Sequence, residues 1–138
     1  EISEQTETDG RGYVSRVRVV ADGDKESHAV EGTVFHQRYV RITSIDDFYM
    51  ELKPAGDLVI LFNQDRPGVI GEVGSTFGKR DINIATMTFG RKLDTEEACL
   101  ALTLDTVPPK NLLEDLRAKD FMKRVQHVSL PPLQSEQA

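Results

Sequence analysis

The sequence predicts an α+β fold in two small modules. Three observations carry that prediction. From Tyr13 to Leu52 apolar and polar residues alternate, with no helical period longer than one turn. Lys53-Pro54-Ala55-Gly56-Asp57 then interrupts the pattern with proline and glycine. Beyond it, strand-length apolar runs are interleaved with two stripes at helical spacing.

The first module, 1–54, reads as a succession of strands. Glu1 to Gly12 is polar and is expected to fray or to pair only as an edge. Tyr13 to Ala21 alternates, with Tyr13, Ser15, Val17 and Val19 on one side and Arg16, Arg18 and Val20 among those on the other. Asp22-Gly23-Asp24 is a turn signal. His28 to Phe35 is the next strand, with Gly32 marking a bulge or a close backbone approach. Tyr39 to Ile45 follows, then a turn at Asp46-Asp47 and a short strand from Phe48 to Leu52.

The second module, 57–130, has a stronger pattern. Leu58-Val59-Ile60-Leu61-Phe62 is apolar throughout, as a central strand should be. Asn63 to Arg66 is a polar loop, and Pro67 is expected in the first turn of a helix. Val69, Ile70, Val73 and Phe77 form the predicted apolar stripe of that helix, which ends between Gly78 and Asp81. Ile82, Ile84 and Thr86 alternate with Asn83, Ala85 and Met87 as a strand. A polar hairpin loop spans Lys92 to Glu97, and Ala98, Leu100, Leu102 and Leu104 mark the return strand. Pro108-Pro109 opens a helix carrying Leu112, Leu113 and Leu116, and Phe121 to Leu130 is the last strand. Residues 131–138 form a tail after Pro131-Pro132. The order β-α-β-β-α-β is ferredoxin-like: a four-stranded antiparallel sheet with both helices on one face. The other face is left open unless a neighbour covers it.

Composition excludes several function classes. In 138 residues, 38% are hydrophobic and 29% charged, a globular balance. The net charge is -6, and splitting at Pro54 leaves 7 basic against 11 acidic residues before it and 10 against 12 from it onward. Neither half is basic, so nucleic-acid binding through bulk charge is not expected. No apolar run approaches the roughly 20 residues of a membrane helix. A single cysteine rules out an internal disulfide and a cysteine-built zinc site, and a reducing compartment is the simpler reading. The chain opens on Glu1-Ile2-Ser3 without methionine, so the expectation is a processed chain or a piece of a longer one.

The best place for chemistry is the loop Asn63-Gln64-Asp65-Arg66-Pro67-Gly68, between a central strand and a helix start. The first N–H groups of a helix lack internal partners, and the helix dipole makes that end weakly positive. A carboxylate can be held by the amides near Gly68 and Val69. Asn63 and Asp65 can receive an ammonium group, and Asn83 offers both a donor and an acceptor. Such a set suits a small amino acid. On spacing alone, Asn63 and Asp65 read more readily as turn and capping residues with no ligand. Elsewhere, Cys99 reads as core packing, and His28, His36 and His127 lack metal-ligand spacing, so no metal site is expected. Arg38, Arg41 and Lys53 read either as an anion site or as a solvated strand face.

Asp65-Arg66-Pro67-Gly68-Val69-Ile70-Gly71, Asp81-Ile82-Asn83-Ile84-Ala85 and Met87-Thr88-Phe89-Gly90-Arg91 together resemble an ACT domain. The resemblance is to the one that ends the long bacterial type of D-3-phosphoglycerate dehydrogenase. Tyr13 to Val19, Ala29 to Phe35 and Tyr39 to Ile42 are similar to the intervening, allosteric substrate-binding-like domain that precedes it. The resemblance covers about residues 1–130. It implies an enzyme that oxidises 3-phosphoglycerate with NAD on the way to L-serine. It also implies ACT domains that associate edge to edge in a homo-oligomer and bind L-serine at the interface as feedback inhibitor. Carried onto this sequence, the effector positions are Asn63, Asp65 and Asn83, with backbone contacts at Gly68, Val69 and Ile70. The family often has histidine or tyrosine at the position of Asn63 and asparagine at that of Asp65.

No Gly-x-Gly-x-x-Gly opens a helix after a strand here, and 138 residues leave no room for a dinucleotide domain. The expectation is therefore a regulatory part without catalytic residues or a cofactor of its own, with NAD bound elsewhere in a cytoplasmic enzyme. Two alternatives stay open. One is the regulatory part of an iron–sulfur L-serine dehydratase. The other is a non-enzymatic oligomerisation module.

Overall fold

The computed structural model describes residues 2–8 and 15–133. The expected strand residue Tyr13 and the tail from Gln134 lie outside the described residues. The chain divides between Pro54 and Ala55 into two compact units.

The first unit is a five-stranded antiparallel meander. Strands β1 (Ile2–Thr8), β2 (Ser15–Asp22), β3 (Ser27–Phe35), β4 (Tyr39–Ile45) and β5 (Phe48–Leu52) lie side by side in chain order. The polar β1 pairs at the edge. Its partner β2 keeps Arg18 opposite Glu31 of β3, where the two side chains form a 2.7 Å ion pair. The register of β3 against β4 shifts between Glu31 and Gly32, so the bulge expected at Gly32 is present. A two-residue loop, Asp46-Asp47, joins β4 to β5 with φ of 48° and 66°. Both being positive is what a tight hairpin with the right twist requires. The Asp46 carboxylate fixes this turn to β3, accepting the Ala29 N–H at 2.8 Å and facing His28 Nδ1 at 2.9 Å. Ala29, Ile45, Phe48, Met50 and Leu52 are the unit's buried apolar residues.

The second unit is the β-α-β-β-α-β arrangement. It comprises β6 (Gly56–Gln64), α1 (Val69–Gly78), β7 (Ile84–Arg91), β8 (Glu97–Leu104), α2 (Lys110–Arg117) and β9 (Met122–Leu130). The sheet order is β7-β8-β6-β9, with all neighbours antiparallel. The apolar β6 is central because it must bury both faces. Val59 and Leu61 of β6 and Leu100, Leu102 and Leu104 of β8 point to the helix side. There they pack on Val73 and Phe77 of α1 and on Leu112 and Leu116 of α2. On the other face Phe62 and Cys99 are buried, and the Arg124 guanidinium lies 4.0 Å over the Phe62 ring.

Two expectations about α1 need correction. Pro67 is not in its first turn. The helix starts at Val69 because Gly68 occupies the N-cap in a left-handed conformation, φ 89° and ψ -15°. That conformation costs about 1–2 kcal/mol for a residue with a Cβ, and it directs the chain sharply out of the β6 loop. Ile70 is not part of the buried stripe: it is 49% exposed, whereas Val69, Val73 and Phe77, at intervals of four residues, face the core. One position along a helix is a rotation of about 100°, enough to turn Ile70 to the rim. The strand expected from Ile82 begins at Ile84 and runs on to Arg91.

Candidate functional site

The strand-to-helix turn opens a recess of about 640 Å³ on the helix side of the sheet, lined by residues of the 63–71 segment together with Phe89 and Arg91. Its floor is set by strand register. Asn63 on β6 and Arg91 on β7 both pair with Ala98 on β8, so three adjacent strands carry these residues in one row. Cross-strand partners share a face, and two strand spacings place the two outer residues about 10 Å apart at the backbone.

Asn63 is 1% exposed. Its side-chain amide donates to the Gln64 carbonyl at 2.8 Å, and its Oδ1 is buried without a hydrogen-bond partner. A buried acceptor left unpaired costs roughly 1–3 kcal/mol. The register of β6 against β9 shifts between Phe62 and Asn63, and such bulges re-aim side chains beside functional sites.

The N-terminus of α1 forms the next wall. It has no side-chain cap, and the first amide to bond back is that of Glu72, to the Gly68 carbonyl at 3.0 Å. The amides of Val69, Ile70 and Gly71 therefore have no partner within the helix.

Charge is supplied from two sides. The Asp65 backbone N–H is held by the Glu96 carbonyl at 2.8 Å, which ties the loop to the β7–β8 hairpin. Its carboxylate meets Arg91 Nε at 2.9 Å. The Arg91 guanidinium also lies 5.4 Å from the centre of the Phe89 ring, and its side chain is 71% exposed. Arg66, also in the lining, pairs with Asp120 at 2.7 Å.

The structure thus brings Asn63, Asp65, Gly68, Val69 and Ile70 to one recess. It does not bring Asn83 there within one chain. Asn83 precedes β7 at the Leu104 end of the sheet and donates to Asp105 Oδ2 at 2.8 Å. Sequence reasoning assigned no role to Phe89 or Arg91, although both lie in a quoted motif. The missing information was register: nothing local in the sequence says that Arg91 shares a row with Asn63.

Two other clusters lie outside the recess. His127, Asp57 and Ser129 lie together, but Asp57 Oδ1 and Ser129 Oγ both face the same His127 nitrogen, Nε2, at 3.0 and 3.4 Å. Ser129 donates to Asp57 at 2.6 Å. A nucleophile relay needs its acid and its hydroxyl on opposite ring nitrogens. Arg38 and Arg41 both stand over the Tyr39 ring, at 5.7 and 5.9 Å. Among the described residues no group of three or more His, Cys, Asp or Glu side chains can hold a metal ion. No helix among them is long and apolar enough to cross a membrane.

Residues 58–121 match the model of the ACT domain family. The second unit is an ACT domain, and its recess lies at the strand-to-helix turn of that module. The chain is 34% identical over 129 residues to D-3-phosphoglycerate dehydrogenase of Bacillus subtilis, covering 94% of this chain and 25% of that protein. It is 33% identical over 106 residues to D-3-phosphoglycerate dehydrogenase of Synechocystis, covering 77% of this chain and 19% of that protein. The enzyme of the same name from Methanocaldococcus jannaschii is 31% identical over 126 residues, covering 91% of this chain and 24% of that protein. The chain thus spans a fifth to a quarter of the length of these curated relatives.

Proposed function

We propose that this chain is a regulatory part of a D-3-phosphoglycerate dehydrogenase. It binds a small amino acid, L-serine first among candidates, as allosteric effector where two ACT domains meet. The observation that carries this reading is the buried, unpartnered Asn63 Oδ1 in the same recess as three uncapped helix amides. The acceptor calls for a ligand N–H, and the amides call for a ligand oxygen. The 58–121 match and the dehydrogenase relatives support it, and the relatives favour a dehydrogenase over the iron–sulfur dehydratase.

The interface follows from the edge strand. β7 ends the sheet. A two-fold antiparallel pairing of β7 with a second copy, centred near Met87 and Thr88, brings Asn83 of the partner subunit beside Arg91. The effector position in the Asn-Ile-Ala run then completes the recess across the interface. Binding at a shared site favours one arrangement of subunits over another by its difference in affinity for the two. In this reading the oxidation of 3-phosphoglycerate and the NAD site belong to other parts of a cytoplasmic homo-oligomeric enzyme.

Thermal unfolding of the chain with the twenty amino acids tests the proposal, together with light scattering. A ligand at about 100 times its dissociation constant adds roughly 2.7 kcal/mol. L-serine should raise the midpoint and a dimer should be present. An unmoved midpoint rejects serine, and a strict monomer with saturating ligand rejects the shared site.

A further inference from the structure

Two turns meet at one end of the first sheet, and a single imidazole bridges them. In a meander the β2–β3 and β4–β5 turns fall at the same end, because consecutive strands reverse direction. His28, near the start of β3, sets Nδ1 2.9 Å from Asp46 Oδ2 in the β4–β5 turn. Its Nε2 lies 3.2 Å from Glu26 Oε2 in the β2–β3 turn. Each turn is also held by its backbone. The Gly23 N–H donates to the Glu26 carbonyl and the Asp46 N–H to the Ala29 carbonyl, both at 2.8 Å. The other Asp46 oxygen accepts the Ala29 N–H. The remaining charges near the ring are Asp22, Asp24 and Lys25 around the β2–β3 turn. Asp22 accepts the Ser27 hydroxyl at 2.5 Å, and Asp47 faces Arg18 at 3.6 Å. β2 and β1 place the uncharged Ala21 and Ile2 in the row beside His28.

We infer that His28 is a proton-operated clamp, which joins the two turns when the ring is charged and releases the β2–β3 turn when it is neutral. An imidazolium donates from both nitrogens, so it satisfies Asp46 and Glu26 together. A neutral ring has one N–H and one lone pair, so one of the two carboxylates then faces a lone pair. Asp46 is closer, less exposed and fixed by Ala29, so the proton stays on Nδ1 and the Glu26 contact is the one that opens. The Asp46 contact weakens as well, because its donor no longer carries a charge. Opposite charges at hydrogen-bond distance favour the imidazolium, so protonation and clamping drive one another. A histidine charged preferentially in the folded state contributes its full stability below the unfolded imidazole value, about 6.5. That contribution fades as pH rises through the higher folded value. β5 starts directly after the clamped turn and runs to Leu52, before the Lys53-Pro54 linker. The clamp therefore sets how firmly the last strand of the first unit is anchored across neutral pH.

Proton NMR titration of the chain tests this together with amide exchange, the His28 ring being assigned by its loss in His28→Gln. His28 should titrate above the ordinary imidazole value of about 6.5. Glu26→Gln and Asp46→Asn should each lower that midpoint. Asparagine keeps an acceptor for the Ala29 N–H and suits the positive φ at this position, so Asp46→Asn should fold. Exchange at the Gly23, Ala29 and Asp46 amides, corrected for its intrinsic pH dependence, reads the clamp directly. Between about pH 5.5 and about pH 8.5 it should become about two- to fivefold faster, the scale of a part-exposed ion pair. In His28→Gln it should stay constant over that range. A His28 midpoint at or below the ordinary value overturns the inference. So does constant exchange in the unsubstituted chain, or a pH response that His28→Gln keeps.

Discussion

Asn63 and Arg91 flank Ala98, each paired with it from a neighbouring strand, so that a buried unpaired carbonyl and an exposed guanidinium share one face of the sheet. The recess is a product of that alignment. Its polar groups come from β6, the loop that follows it, α1 and β7, and the sheet register together with the Asp65–Glu96 backbone bond brings them together.

Asn63→Leu separates binding from stability. The substitution removes an acceptor that has no partner and fills similar volume with carbon. It also removes the amide's hydrogen bond to the Gln64 carbonyl, so the two effects oppose each other and urea unfolding should change by no more than about 1 kcal/mol in either direction. Effector binding should disappear. A loss of stability of several kcal/mol would mean that the Asn63 side chain is structural rather than receptive.

Asn83→Ala should weaken the effector about tenfold while light scattering still shows the dimer. Within one chain the Asn83 amide donates to Asp105, at the Leu104 end of the sheet and away from the recess. An effect on binding therefore has to come through a second copy. Unchanged affinity would remove Asn83 from the site.

Phe77 and Ile70 should differ sharply although both are apolar residues of α1. Phe77 is fully buried and Ile70 is 49% exposed. Phe77→Ala should cost about 3–5 kcal/mol. Ile70→Ala should cost less than about 1 kcal/mol. Urea midpoints of the two variants check the assignment of the helix faces.

Acid stability should depend on Asp57. The Ser129 hydroxyl and then His127 bond to its carboxylate and hold its pKa below the ordinary aspartate value. A carboxyl whose folded pKa is depressed stabilises the fold above its unfolded pKa, about 3.9. That contribution is lost as pH falls through the folded value. Ser129→Ala should move the Asp57 midpoint upward in a carboxyl NMR titration, and acid unfolding should begin at higher pH.

Asp47→Gly should stabilise the first unit modestly. Asp47 holds φ 66° at the second position of a two-residue hairpin loop, a conformation glycine adopts freely. A gain of about 0.5 kcal/mol in urea unfolding is expected, after the entropy cost of glycine in the unfolded chain.

The sequence was most legible where one physical signal dominates. The unbroken apolar run Leu58 to Phe62 reads as a strand buried on both faces, and three of the four residues of the predicted helix stripe, Val69, Val73 and Phe77, are on its buried face. Legibility failed where two constraints compete at one residue. Pro67 suits a first turn, but Gly68 takes the cap because glycine adopts its φ of 89° without the cost a Cβ would add. Ile70 is apolar by composition and peripheral by angle. Arg91 was invisible as a site residue because it lies 26 positions from Asp65, and ion pairs at that distance are set by the hairpin register alone.

The placement of Asn63 and Asn83 at opposite ends of one sheet fixes a stoichiometry. If a two-fold joins two β7 strands, each chain lends its Asn83 end and uses its Asn63 end. One interface then holds two equivalent sites, and saturation is one effector per chain. A mixed dimer of wild type and Asn63→Leu keeps a single working site, so it reports whether one bound effector is enough to hold the pair together.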